Sequence, residues 1–192
     1  MADLASQFAN VEKKLRLAVE AVAADIADTI VHSVREPHAR EHRGQGHPFG
    51  SPVWSGSYLT SHRVAVNRVD TSSNHLHGHD LTQTEAEALL SQYPLDAMSI
   101  LRQQRFKIGD TISISNNSKQ GQSWSHDGGS SGQYAEVLQT RPSPWHKTRG
   151  DMYKNAADFA LMYLKESSAA RIFTMVNSSN KAAAPAKVEV RV

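Results

Sequence analysis

The chain reads as an α+β fold: a small antiparallel sheet packed by helices, with a long N-terminal helix and an extended C-terminal arm. Three observations predict it. Residues 3 to 35 place Leu4, Phe8, Val11, Leu15, Ala18, Val22, Ile26 and Ile30 at steps of three and four, the spacing of a helix. Two later stretches, near 62–69 and 111–115, alternate apolar and polar residues as strands do. Residues 82–105 and 151–165 return to helical spacing.

The first helix is the longest periodic segment. Asp3 is placed to cap its start, and Glu36-Pro37 ends it, because the residue before a proline avoids the α region. At 1.5 Å per residue it spans roughly 45–50 Å, more than one small domain covers. Its apolar stripe therefore has two candidate roles, a core face or a contact between subunits. A loop from 36 to 52 carries His38, Arg40, His42, Arg43 and His47. Gly50-Ser51-Pro52 signals a turn, Ser55-Gly56-Ser57 a bend, and the strand from His62 sets Val64 and Val66 against Arg63, Ala65 and Asn67. A polar turn, Asp70 to Asp80, leads into 82–105, where Thr82 or Thr84 caps a helix and Pro94 divides two short ones. The second of these carries Leu95, Met98, Ile100 and Leu101.

Gly109-Asp110 turns the chain into the strand Thr111 to Ser115. Residues 116–133 are rich in Ser, Gly, Asn and Gln, the composition of a flexible loop. A short helix near Tyr134 to Gln139 and a proline-broken link through Trp145 precede the helix 151–165, with Met152, Ala156, Phe159 and Tyr163 on one face. Arg171 to Val176 fits either a strand or a continued helix. A loose link, 177–186, ends in Lys187-Val188-Glu189-Val190-Arg191-Val192. The expected division is a domain over 1–176 and an arm over 177–192.

Composition narrows the function classes. The chain has 192 residues, 39% of them hydrophobic, and a mean hydropathy of −0.49. That implies a modest core that is completed against partners. The net charge of +2 is too small to argue for nucleic acid by itself, although from Arg141 onward nine Lys and Arg face four Asp and Glu. With no cysteine there is no disulfide, thiol nucleophile or cysteine zinc site, which fits assembly in a reducing cytoplasm. No apolar run approaches the ~20 residues of a membrane helix, and the charges of the first thirty residues do not suit a signal peptide.

Chemistry is sparse. His75, His77 and His79 project from one side of an extended segment, and Asp80 offers an oxygen, a workable set for a transition metal. They lie in a polar turn rather than on rigid elements, so the expectation is a surface loop and no metal or cofactor. Gly56-Ser57-Tyr58 lacks the second glycine of a nucleophile elbow, and Gly128-Gly129-Ser130-Ser131-Gly132 lacks the lysine of a phosphate loop. Glu85 and Glu87 lie two apart and face different ways on a helix. No catalytic residue is expected. Trp54, Tyr58 and Trp145 sit in corners, where aromatics fill the space under a turn or anchor an interface.

Pro52-Val53-Trp54-Ser55-Gly56, followed by a strand, resembles the corner of the tail-completion (neck) proteins of tailed bacteriophages. That family also has a strand ending in Asn-Asn, then Tyr-Ala and a short helix. Here Ile112-Ser113-Ile114-Ser115-Asn116-Asn117 and Tyr134-Ala135-Glu136-Val137-Leu138 follow the same order, with a helix near 151–165 completing it. Gln139-Thr140 replace the family's usual glutamate and glycine, and a polar insert, Ser118 to Ser131, separates the two motifs.

The resemblance implies a structural virion protein at the neck, assembled in the host cytoplasm and completing the tail or joining it to the head. It implies a homo-oligomeric ring of six subunits, with twelve as the alternative, beside head-closure or connector proteins and tail-terminator or tail-tube proteins. Candidate interface residues are Val188, Val190 and Val192 on the arm, with Trp54 and Tyr58 at the corner. The link 177–186, about ten residues at ~3.3 Å each, reaches some 30 Å, enough for the arm to add a strand to a neighbouring chain; pairing within its own subunit is the alternative. A metal-dependent, nuclease-like enzyme using His75 to His79 and a nucleic-acid-binding module are the rival classes.

Overall fold

The computed structural model describes residues 4–39, 50–53, 55–76, 80–118, 152–166 and 188–190. Helix α1, Leu4–Arg35, contains no glycine or proline and stops one residue before the Glu36-Pro37 pair, with His32 and Arg35 in its last turn complementing the helix dipole. Strand β1, Pro37–His38, pairs in parallel with β2, Ser51–Pro52. Ser51 N donates to Glu36 O at 2.7 Å and Val53 N to His38 O at 3.3 Å. The ladder therefore draws on the residues on either side of Pro52, which has no N–H to give.

A short helix α2, Ser57–Thr60, leads into β3, His62–Val66. The strand stops earlier than the expected residue 69. Asn67 turns left-handed (φ 57°) and is held there by a bond from its own N–H to Thr111 O at 2.8 Å and one from Thr111 N to its side chain at 2.9 Å. Helix α3, Gln83–Gln92, starts at Thr82, whose hydroxyl and the Glu85 carboxylate close a capping box. Helix α4, Ala97–Gln103, is capped by Asp96, which accepts from Ser99 N at 2.8 Å. Pro94 lies between the two helices, as expected. Strand β4, Ile112–Asn116, helix α5, Met152–Glu166, and strand β5, Val188–Val190, complete the described elements.

The class is α+β, with β3 and β4 antiparallel and Val64 opposite Ile114. A third strand extends the expected small antiparallel sheet. β5 joins β4 in parallel, setting Val188 opposite Ile112 and Val190 opposite Ile114, so the arm adds to the sheet of its own chain. The edge of β4 not taken by β3 supplies the hydrogen-bonding partner that a short strand requires.

The core joins the C-terminal half of α1, through Ala23, Ala27, Ile30, Val31 and Val34, to α4, to α5 and to Val64, Ile112 and Ile114 of the sheet. In α5 the buried face is Met152, Tyr153, Ala156 and Ala160; Phe159 and Tyr163, expected beside Met152, are 38% and 55% exposed. Small alanines on both helices allow close approach, and this turns the larger rings of α5 outward. Met98 of α4 is likewise exposed. A smaller cluster of Val53, Leu59 and Ala86 fastens the Gly56 corner to α3. Among the described residues no helix is long and apolar enough to cross a membrane. The readings of Asp3, of 119–151 and of 171–176 fall outside the described residues, as does the junction at 176.

Candidate functional site

The corner is built around Gly56, which holds φ at 79°, a left-handed value that glycine adopts without strain. A β-carbon there would run into Leu89 Cδ2 of α3. From this bend the chain clamps the segment 70–76. Ser57 Oγ accepts from Leu76 N (2.9 Å) and donates to Leu76 O (3.1 Å), and Ser61 Oγ accepts from Asn74 N (2.9 Å). Arg63 spreads its guanidinium over Ser72 Oγ, Asn74 Oδ1 and the carbonyls of Thr60 and His62, at 2.7 to 3.2 Å. The Asn-Asn end of β4 closes the unit: Asn116 Nδ2 donates to Tyr58 O at 2.8 Å and Asn117 Nδ2 to Thr71 O at 2.7 Å.

Beneath the corner lies a buried polar trio that the sequence reading missed. Ser51 Oγ sits 2.6 Å from Val34 O and 2.8 Å from His62 Nε2, while His62 Nδ1 sits 2.6 Å from the Tyr153 hydroxyl. All three side chains are buried. The proton positions follow by assignment. A carbonyl only accepts, so the single Ser51 proton goes to Val34 O; His62 Nε2–H then donates to Ser51, and His62 Nδ1 accepts from Tyr153.

That order makes His62 a donor to Ser51, the reverse of what a general base for a serine nucleophile requires. Burial holds His62 well below its usual pKa, and the charges of Arg35 and Arg63 add to the effect. Burial also raises the Tyr153 hydroxyl, with a further push from Tyr58. Arg35 itself, which donates to Tyr93 O, is lowered to about 10 by burial and by Arg63. The trio joins α1, β2, β3 and α5 at one point, and its chemistry is that of a neutral, satisfied structural centre.

The second feature is the exposed half of α1. Leu4, Phe8 and Val11 are 66%, 67% and 63% exposed; Leu15, Ala18 and Val22 are half-buried, and of the eight stripe residues only Ile30 is buried. At 100° per residue the stripe from Leu4 to Val22 points about 120° away from the face formed by Ala23, Ala27, Ile30, Val31 and Val34. On the core-directed side of the same stretch lies an open groove of about 540 Å³, lined by Lys13, Arg16, Glu20 and the turn Arg105 to Lys107. Ile108 N donates to Glu20 there. Ala9, Glu12 and Leu17 line the same groove, so this side of the N-terminal half of α1 is mixed, while Leu4, Phe8 and Val11 face outward.

The other expected site residues are scattered. Tyr58 is buried, with its ring edge-on to His62 at 5.2 Å, so it fills the corner and presents no free anchor. Val188 and Val190 lie in the chain's own sheet. Trp54, Trp145, His77, His79 and Val192 lie outside the described residues, and His75 is exposed. Among the described residues no three potential ligands group around a metal-sized space. Glu85 serves the α3 cap. The outward stripe did leave a signal in the sequence, because its alternation of fours and threes draws a narrow heptad seam rather than the broad face a core helix needs. Compared with protein-family models, curated proteins and solved structures, the chain gives no match.

Proposed function

We propose that this protein is a structural component of a tailed-phage virion, a neck subunit that assembles into a ring, completes the tail and joins it to the head. The outward apolar stripe of α1 carries the reading: a helix that turns Leu4, Phe8 and Val11 away from its own core is incomplete without a partner. The resemblance of Pro52 to Gly56 and of the Asn116-Asn117 strand end to the neck family supplies the context. The two motifs also meet in space, since Asn116 holds the Tyr58 carbonyl of the corner. Six copies, matching the sixfold symmetry of a phage tail, is the expected number, with twelve second. The neighbours would be head-closure or connector proteins above and tail-terminator or tail-tube proteins below.

Mass measurement and microscopy of the purified protein test this. A closed ring of six or twelve that binds isolated tails or filled heads is the expected result. A chain that stays monomeric at every concentration, or that retains stoichiometric metal after chelation and dialysis and cleaves nucleic acid, overturns it.

A further inference from the structure

We infer that the open groove between α1 and the turn after α4 binds single-stranded nucleic acid, with phosphates held by Lys13, Arg105 and Lys107 and a base laid against Phe106. The inference goes beyond the neck reading and does not depend on it. Lys13 and Arg16 stand on the α1 wall and Arg105 and Lys107 on the other, four cations against the two carboxylates Glu12 and Glu20. Both carboxylates are already engaged within the chain. Glu12 accepts from Arg16 at 2.7 and 3.1 Å, and Glu20 accepts from Ile108 N at 3.3 Å. Lys13, Arg105 and Lys107 are exposed, and their side chains make no hydrogen bond or ion pair among the described residues. Arg102, in the last turn of α4, adds another exposed cation at the same end of that helix.

Arg105 gives an independent sign that this charge acts outside the chain. Its φ of 53° is left-handed, a conformation that strains any residue but glycine. The bonds from Arg105 N to Arg102 O at 3.1 Å and from Phe106 N to Leu101 O at 2.9 Å hold it there, and Lys107 N is fixed to Asp110 at 2.8 Å. The turn is therefore a firm mount for two cations, and the arginine is kept at a cost in backbone strain with no side-chain partner of its own.

The shape of the groove selects among polyanions. A lone carboxylate is gripped by a fixed arginine fork, whereas here long exposed stems on two walls suit a row of charges. The groove also holds Ala9, Leu17 and the half-buried Phe106, an apolar surface between the cations. A nucleic-acid base has a flat face to lay on such a surface, and an acidic side chain has none. At about 540 Å³ the groove has the size of a small-ligand site. It admits a base with its phosphate, and not a duplex whose bases are already stacked.

The full-length protein and a labelled oligothymidylate of about 12 nucleotides, followed by fluorescence anisotropy, test this. Binding is expected at about 50 mM salt and should fall about 20-fold by about 200 mM, because three phosphate contacts on a single strand give a log–log slope of about −2. Arg105→Gly should weaken binding and reduce that slope by about 0.7 without lowering the Tm, since glycine relieves the left-handed strain. Lys13→Gln with Lys107→Gln should remove about 1.4 from the slope, and Phe106→Leu should weaken binding about tenfold with the slope unchanged. Phe106 also packs against the core, so the exposed-cation variants decide the matter if Phe106→Leu fails to fold. No binding at about 50 mM salt overturns the proposal, as does binding that the cation variants leave unchanged. Tighter binding to a duplex, or poly-glutamate bound as tightly as the oligonucleotide, overturns it too.

Discussion

Lowering the pH should destabilise this fold well before its carboxylates titrate, and His62 is the reason. The native structure holds the ring neutral: His62 is 1% exposed, donates to Ser51 and accepts from Tyr153, and Arg35 and Arg63 oppose a positive charge on it. In the unfolded chain the same imidazole titrates near its ordinary value of about 6.5. Below that pH the unfolded state binds one more proton than the native state, so unfolding becomes easier as pH falls. The stability is fully present above about 6.5 and is lost progressively below it, down to the depressed native pKa. Between pH 7.5 and 5.0 one such group removes about 2 kcal/mol, at ~1.36 kcal/mol per pH unit. For a chain of this size that is a fall in Tm of about 4–8 °C.

Asp70 and Asp110 titrate elsewhere. Their pKa values are lowered, chiefly by the hydrogen bonds from Ser72 N and from the Asn67 side chain respectively, and their loss begins only as pH drops below about 4. Thermal melts across pH 7.5 to 5.0 therefore lie above the range of these two carboxylates, and the share that belongs to His62 is read as the difference between the wild type and a variant lacking it. The matching variant is His62→Gln with Tyr153→Phe, in which an amide N–H still reaches Ser51 and no hydroxyl is left seeking the lost acceptor. It should start less stable at pH 7.5 and then lose less than the wild type as the pH falls. A wild type whose Tm is unchanged across this window, or a double variant that loses as much as the wild type, would refute the proton assignment.

Two further outcomes follow from backbone geometry. Gly56→Ala should cost about 1–2 kcal/mol from the left-handed backbone alone, with more from the encounter with Leu89, and adding Leu89→Ala should recover only the second part; a Gly56→Ala protein as stable as wild type in urea titration would contradict the corner geometry. Arg105 occupies the left-handed position after α4 (φ 53°), where Arg105 N bonds Arg102 O and Phe106 N bonds Leu101 O in a Schellman closure that glycine fills best, so Arg105→Gly should raise stability by about 0.5–1 kcal/mol; a lower Tm would show that the arginine side chain contributes more than its backbone strain costs.

The parts of the fold that the sequence disclosed are those whose cause is local. The spacing of α1, the Thr82 cap, the break at Pro94 and the alternation of β3 and β4 are each written within a few residues, and each is present, with β3 ending at Val66 rather than at residue 69. The pairing of β1 with β2 was not legible, because two-residue strands carry no period. The parallel docking of β5 was not legible either, since Val188, Val190 and Val192 state only that one face seeks burial and not which edge receives it. Gly56 could be read because glycine in a bend declares a backbone need. His62 could not, because its partners lie 11 and 91 residues away and nothing beside it marks a buried ring.

Helix α1 shows most sharply how a correct local reading misassigns a face. Leu4, Phe8, Val11, Leu15, Ala18, Val22, Ile26 and Ile30 look like one stripe, yet Ile30 belongs to the core and Leu4 to the surface. Up to Val22 the steps average 3.5 residues and hold one direction; from Val22 the steps of four carry the apolar side around the axis toward Ala27, Ile30 and Val34. The same helix therefore carries two seams that meet near Val22. The C-terminal seam is closed by α4, α5 and the sheet, whereas the N-terminal one is left open at Leu4, Phe8 and Val11. Because the ends of the two seams lie far apart along the axis, substitutions there should act independently: truncating Ile30 strikes folding, and charging Val11 leaves folding intact and strikes whatever covers it.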